Sequence, residues 1–160
     1  MENIEIQNWG KEKIQKEANA HAVSLHAGYN GFIEQKLGKK GVIACMDFMA
    51  KQTAQVLENA PSQHRGALML AEYQGTMHKN VHGCRDVEVE GDEQQAMVTI
   101  GKCTALENTR EFMKAGLPMS EDASCAGCRG FYSCLAKHSD LENADFARTA
   151  DGCRYVYSKL

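Results

Sequence analysis

The sequence predicts an α+β protein in which N-terminal helices pack on a small antiparallel sheet, in the order ααα-ββ-αα-ββ. Three observations predict it. Residues 8–78 keep helical spacing of apolar side chains, interrupted only near Gly38 and Pro61. Two later segments alternate polar and apolar residues and fold back at Gly91-Asp92 and at Asp151-Gly152. Residues 104–138, between the two strand pairs, return to a helical pattern. Strands grouped in pairs, with helices between the pairs, indicate an antiparallel sheet.

The first helix is expected from Asn8 to Leu37, a stretch without proline. Its apolar stripe reads Ile14, Ala18, His21, Leu25, Tyr29, Phe32 and Ile33. Gly28 and Gly31 weaken its last turns by ~1 kcal/mol each relative to alanine, and Gly38 stops it. A second helix runs from Lys40 to Asn59, with Val42, Ile43, Met46, Met49, Thr53, Val56 and Leu57 on one stripe. Pro61 ends it, because proline disfavours helix in the residue before it. Ser62 then reads as the N-cap of a third helix reaching His78.

Val87 and Val89, set between Asp86, Glu88 and Glu90, mark a strand Arg85–Glu90 paired with Gln95–Cys103. Thr104 to Gly116 is helical, and Thr104 with Glu107 reads as a capping box. Leu117-Pro118 breaks this helix, and Ser120-Glu121-Asp122 opens another that ends at His138. Asp145–Ala150 and Cys153–Ser158 flank Asp151-Gly152, a pair that favours a tight hairpin. No repeat or linker divides the chain, so residues 1–160 are expected to form one domain.

Composition narrows the function. Hydrophobic residues make up 43% and charged residues 24% of the 160, as in ordinary soluble domains. No apolar run approaches the ~20 residues of a membrane-spanning helix. A net charge of −3 lacks the basic excess of a nucleic-acid binder. Seven cysteines, an odd number, follow an opening segment without the layout of an export signal. The expectation is a cytoplasmic protein whose thiols are free, catalytic or metal-bound.

The densest cysteine cluster is Cys125-Ala-Gly-Cys128-Arg-Gly-Phe-Tyr-Ser-Cys134. Thiols one helical turn apart can share a zinc ion or an iron–sulfur cluster, or form a redox dithiol. A fourth ligand would come from Cys153, Cys103, Cys84 or His138. The plain alternative is a helix in which small cysteines pack as core. His78-x-x-x-His82-x-Cys84 places two histidines on one helix face, able to chelate a metal or to favour the helix C-terminus. Cys103 closes a strand just before a helix, where the helix dipole favours a thiolate. Cys153, Tyr155 and Tyr157 share one strand face, and Arg148 across the hairpin could hold a carboxylate in its fork.

The ending Phe146-Ala-Arg148-Thr149-Ala-Asp-Gly152-Cys153-Arg-Tyr155-Val-Tyr157 resembles that of L-2-amino-thiazoline-4-carboxylic acid hydrolase-like proteins. Lys102-Cys103-Thr104 and a helix-borne Cys125 or Cys128 fit the same pattern. The chain differs from it in having Ala126-Gly127-Cys128-Arg129 where an aspartate usually follows the helix-borne cysteine. The ending is also similar to 4-vinyl reductase-type domains, which bind small molecules and in some sensors hold a structural zinc. That resemblance implies Glu142, Asp145 and Cys153 as zinc ligands, with Cys125 or Cys128 upstream.

Three readings follow. The first is a cysteine-dependent hydrolase acting on a small C–N or C–S substrate such as a thiazoline amino acid. Cys103 or Cys125 would be its nucleophile, His78 or His82 would move protons, and Arg148 and Tyr155 would contact substrate. The second is a zinc-stapled small-molecule sensor with an apolar pocket between helices and sheet. The third is a metal or iron–sulfur protein using Cys125, Cys128, Cys134 and Cys153. The apolar stripes of the first two helices also offer a face for a homodimer.

Overall fold

The computed structural model describes residues 10–160, apart from the side chains of Ala27, Asn143 and Ala144; the expected start of the first helix at Asn8 lies outside the described residues. The span α1 (Lys11–Glu58) holds the two expected helices, which meet at Gly38 as the sequence predicts, where the backbone is not helical (φ 68°, ψ −177°). Only glycine takes up that positive φ without strain. The helix α2 (Gly66–Thr76) follows and runs into a π-helical turn at Met77–Val81. Then come β1 (Arg85–Gly91), β2 (Gln95–Lys102), α3 (Thr104–Lys114), α4 (Glu121–His138), β3 (Leu141–Arg148) and β4 (Cys153–Lys159). The α+β class and the order of elements are as the sequence predicts.

The strands form one antiparallel sheet in the order β1-β2-β4-β3. β4 lies between β2 and β3, so the last strand to be added in sequence is central. Alternation along β2 and β4 sends Ala96, Val98, Ile100, Cys153, Tyr155 and Tyr157 to one buried face. Helices α2 and α4 cover that face, and α1 packs on α3 and α4. Leu70, Val98, Ile100, Leu135, Tyr155 and Tyr157 are fully buried between these layers. Tyr157 spends its hydroxyl on Gln74 Oε1 at 2.5 Å.

Several local expectations are corrected. Ser62 does not cap α2. Its hydroxyl accepts the His64 N–H, and Arg65 holds the N-cap position. Cys103, not Thr104, is the N-cap residue of α3. The Thr104 hydroxyl donates instead to Gly83 O at 2.9 Å, and Glu107 pairs with Arg85. Ser120 does cap α4, accepting the Ala123 N–H. The last hairpin turns through a four-residue loop, Thr149 to Gly152, closed by hydrogen bonds between Thr149 and Gly152. β3 begins four residues earlier than its polar composition indicates.

Much of the stripe expected to anchor α1 faces outward, though Leu57 is buried and Ile33, Val42, Met46 and Thr53 are half-buried. Tyr29 and Phe32 are 62% and 59% exposed, and Ile14, Leu25, Ile43, Met49 and Val56 are exposed with them. The inward face is built mostly from small or polar residues, among them Asn19, Ala50 and Ala54, with Leu57 at its C-terminal end. Small side chains let α1 approach closely, so the buried face carries a weaker hydrophobic signal than the exposed one. Among the described residues no helix is long and apolar enough to cross a membrane.

One close crossing seats the last hairpin on β2. A Cβ added at Gly152 would collide with the carbonyl of Ile100, while Cys103 N–H donates to Asp151 O at 2.7 Å. Gly152→Ala should therefore cost ~3 kcal/mol through backbone displacement, read as a lowered urea midpoint. A wild-type midpoint would show that the hairpin does not press on β2.

Candidate functional site

The site is built where the β1–β2 ladder ends. Its last pair is Arg85 with Lys102. Continuing that register one step past the ladder sets Cys84 against Cys103. The backbone holds each in place. The π-helical turn brings His82 N–H to Met77 O, Gly83 reverses the chain with a φ of 67°, and Cys84 N–H donates to His78 O at 2.8 Å. On the other strand Cys103 is extended (φ −94°, ψ 111°), donates its N–H to Asp151 and accepts the Glu107 N–H as α3 begins.

The two thiols are unequal. A hydrogen bond from the Cys84 thiol is the largest influence lowering the Cys103 pKa, and the amide N–H groups of Leu106 and Ala105 act in the same direction. Burial and Glu107 oppose them, and the outcome is about 6. Cys84 moves the opposite way, held in its protonated form by that same bond and by burial. At neutral pH the pair is therefore a Cys103 thiolate accepting the S–H of Cys84. This agrees with the general effect of a helix N-terminus on a thiol.

Behind the pair lies His78. Its Nδ1 is 3.7 Å from Cys84 Sγ and its Nε2 is 3.8 Å from Cys128 Sγ. The Tyr155 hydroxyl donates to Cys128 Sγ at 3.4 Å, and the Tyr132 ring lies 5.7 Å from the imidazole. Burial, with His82 nearby, lowers the His78 pKa to about 3, so the ring is neutral at pH 7. A neutral imidazole has one donor and one acceptor, which suits a position between two thiols. Burial pushes Cys128 up to about 12 and raises Cys153. The outcome is a continuous buried line of polar groups, Tyr155–Cys128–His78–Cys84–Cys103, that carries charge only at the Cys103 end.

A buried amide pair fixes the turn that carries His78. Asn19 donates to His82 O at 2.5 Å and accepts from Asn108 at 2.9 Å. Together they join α1, the π-helical turn and α3. Neither asparagine, nor Tyr132, stood out in the sequence, because their roles depend on which helices meet.

The other predicted site residues divide. His82 is part-exposed and lines a cleft of ≈160 Å³ with Glu12, Gln15, Lys16, Gly83, Arg85, Thr104 and Glu107. Burial and His26 lower its pKa. Cys125 is half-buried near Arg148 and within electrostatic reach of Cys103. Arg148 is not a free fork, since Asp122 and Glu121 take both its terminal nitrogens. Arg110 joins the same network through Glu121 and Asp151 at 2.8 Å each. Tyr155 is buried with its hydroxyl on Cys128, so it contacts a thiol rather than an open cleft.

Neither proposed metal set converges. Cys134, six residues beyond Cys128, lies on a different face of α4, where Asp47 and Lys137 are its charged neighbours. Glu142 pairs with Ser158 and Cys153 with Arg148, at opposite ends of the last hairpin. Five residue steps along β4 separate those positions, about 17 Å at ~3.4 Å per step. Asp145 is engaged by Arg154 at 3.0 Å. Among the described residues no three His, Cys, Asp or Glu side chains are arranged to hold a metal ion. A larger cleft of ≈340 Å³ lies between the end of α1 and α2, lined by Leu57, Pro61, Met69 and Tyr73 among others. It is not the pocket between helices and sheet that a sensor module would offer.

Compared with protein-family models, curated proteins and solved structures, the chain gives no significant match.

Two outcomes follow from this electrostatics. Iodoacetamide should label Cys103 with a pH midpoint well below the ~8.5 of an ordinary thiol, and Cys84→Ala should move that midpoint upward. An ordinary midpoint in the wild type would remove the thiolate. His78 titrates near 6.5 when unfolded and at about 3 when folded. Its contribution to stability is complete above ~6.5 and is lost as pH falls toward the folded value. His78→Gln should lower stability at pH 7 yet flatten the acid limb of the stability curve, measured by urea unfolding from pH 7 to 4. An unchanged acid limb would place the titration on another group.

Proposed function

We propose that this protein is a cysteine-dependent, hydrolase-like enzyme acting on a small C–N or C–S bonded substrate, with Cys103 as the nucleophile. The observation that carries this reading is the Cys103 sulfur at the first turn of α3, held by the Cys84 thiol and flanked by a residue, Thr104, that lines the ≈160 Å³ cleft. A thiolate, not a thiol, is the attacking species, and a helix N-terminus stabilises it without a metal. The cleft is smaller than the ~300–1,000 Å³ usual for drug-sized ligands, which supports a compact substrate. The resemblance of the C-terminal residues to thiazoline-acid hydrolases supports the choice of a thiazoline amino acid among such compounds.

In this scheme Cys103 adds to the electrophilic ring carbon, the ring bond to sulfur or nitrogen breaks, and water then releases the adduct. His82 lines the cleft and is neutral at pH 7, so it can take a proton from that water. His78 is too enclosed to meet water directly, and its part is to hold Cys84 in its protonated, donating form. Lys16 in the cleft wall takes the role of carboxylate partner, because Arg148 is occupied by its own carboxylates.

The test is turnover of 2-amino-thiazoline-4-carboxylate, followed by release of product and by mass spectrometry of a covalent adduct. Wild type should turn it over, Cys103→Ser should lose ~10³-fold or more, and Cys125→Ser should stay within a few-fold. Full activity in Cys103→Ser would assign the nucleophile elsewhere, and no turnover by wild type would remove this substrate class.

A further inference from the structure

The register of the first hairpin has a chemical consequence beyond nucleophilic attack. Cys84 and Cys103 stand one step past the Arg85–Lys102 pair. Directly opposed residues in an antiparallel pair have Cα atoms ~4.5–5.5 Å apart, and disulfides form where that separation is ~4.4–6.8 Å. Each backbone is pinned, Cys84 by His78 O and Cys103 by Asp151 O. Each thiol is the other's strongest side-chain influence, so the two sulfurs face one another across the strand ends.

We infer that Cys84 and Cys103 form a dithiol–disulfide couple oxidised by small hydroperoxides, with Cys103 the sulfur attacked first and Cys84 the resolving thiol. The Cys103 thiolate displaces alkoxide or hydroxide from the O–O bond and becomes a sulfenic acid. The leaving oxygen takes up a proton from solvent. The Cys84 sulfur then attacks the Cys103 sulfur, its proton leaves with the sulfenic hydroxyl as water, and the S–S bond forms. Two thiols lose two electrons, and the hydroperoxide gains them as alcohol (or water) plus water. Cys125, Cys128 and Cys153 also lie within electrostatic reach of Cys103, but Cys84 is the thiol with the largest influence on it. The His78 ring separates Cys128 from Cys84. Cys153 is opposed to Ile100, three residues away from Cys103 along β2.

The inference rests on the same Cys103 thiolate as the hydrolytic reading, but it needs no substrate beyond the peroxide. Oxidation would remove the nucleophile, so turnover would stop and would return with a dithiol reductant.

The experiment treats the reduced, full-length protein with hydrogen peroxide, alkylates what remains and digests it with trypsin. Cleavage after Lys79, Arg85, Lys102 and Arg110 isolates the two cysteines on separate peptides, residues 80–85 and 103–110. Those peptides should appear as one disulfide-linked species, and the free thiols should fall from the seven of the sequence by two. Cys84→Ser, whose hydroxyl keeps a hydrogen-bond donor beside Cys103, should stop at a Cys103 sulfenic acid captured by dimedone. Recovery of both peptides alkylated, or a cross-link through Cys125, Cys128 or Cys153 instead, overturns the couple. A protein that forms the cross-link but hydrolyses no thiazoline keeps the couple and loses the hydrolytic reading. One that hydrolyses but forms no cross-link does the reverse.

Discussion

The register of the β1–β2 hairpin decides which sulfurs meet. Gly91, at φ 128°, turns the chain out of β1, and Asp92 then accepts the amide hydrogens of Gln94 and Gln95 at 2.8 and 3.0 Å. That turn fixes Gly91 opposite Ala96, and every later pair follows from it. A slip of one residue would turn Val98 and Ile100 from the core to the other face. The hydrophobic core therefore protects the register, and the register sets Cys84 against Cys103. Neither cysteine belongs to the ladder. Their pairing is inherited from a strand whose other residues are chosen for packing.

The surroundings then make the two thiols different. One strand leads into a helix, and the other comes out of a π-helical turn. Cys103 receives the amide hydrogens of Ala105 and Leu106; Cys84 has the Thr104 backbone N–H and hydroxyl acting the same way, but the Cys103 sulfur and burial outweigh them, and it faces a neutral imidazole. π-helical turns are uncommon and concentrate at functional positions. Here the extra residue lets His78 point inward while Gly83 still reaches the strand. The Asn19–Asn108 pair repays the exposure of that irregular backbone by binding His82 O. Burying such polar groups without partners would cost ~1–3 kcal/mol each, so the helices α1 and α3 are held to the turn by hydrogen bonding as well as by apolar contact.

The elements of the fold were legible because helix and strand periods differ and because Gly38, Pro61 and Pro118 punctuate the chain. The orientation of α1 was not. Its strongest apolar stripe is the outward one, and its buried side is marked by small residues that carry little hydrophobic signal. In the site, Cys103 was legible from its place between a strand and a helix. Cys84 stood out only as part of the His78–His82 motif and as a possible fourth metal ligand, not as the partner of Cys103, although a hairpin turning at residues 92–94 already sets residue 84 opposite 103. The cysteine spacing in α4 pointed to a metal, but 3.6 residues per turn divides Cys134 from Cys128, and only the structure shows which side meets Asp47. Arg148 looked like a ligand fork because its carboxylate partners, Glu121 and Asp122, lie far from it in sequence.

The way the thiolate is stabilised limits what the site can be. Many reactive cysteines pair with an imidazolium, which then serves as the acid for the leaving group. Here burial keeps His78 neutral, so the charge on Cys103 is balanced by dipoles and by one S–H donor. A thiolate stabilised in this way is a weaker nucleophile than an ordinary thiolate but a better leaving group. Both properties suit a residue that must accept a covalent bond and release it again, whether to a ring carbon or to a second sulfur. The same arrangement makes Cys84 indispensable to Cys103: removing its proton takes away the largest stabilising contact. The two cysteines therefore act as one chemical unit, and the hairpin register is what makes them so.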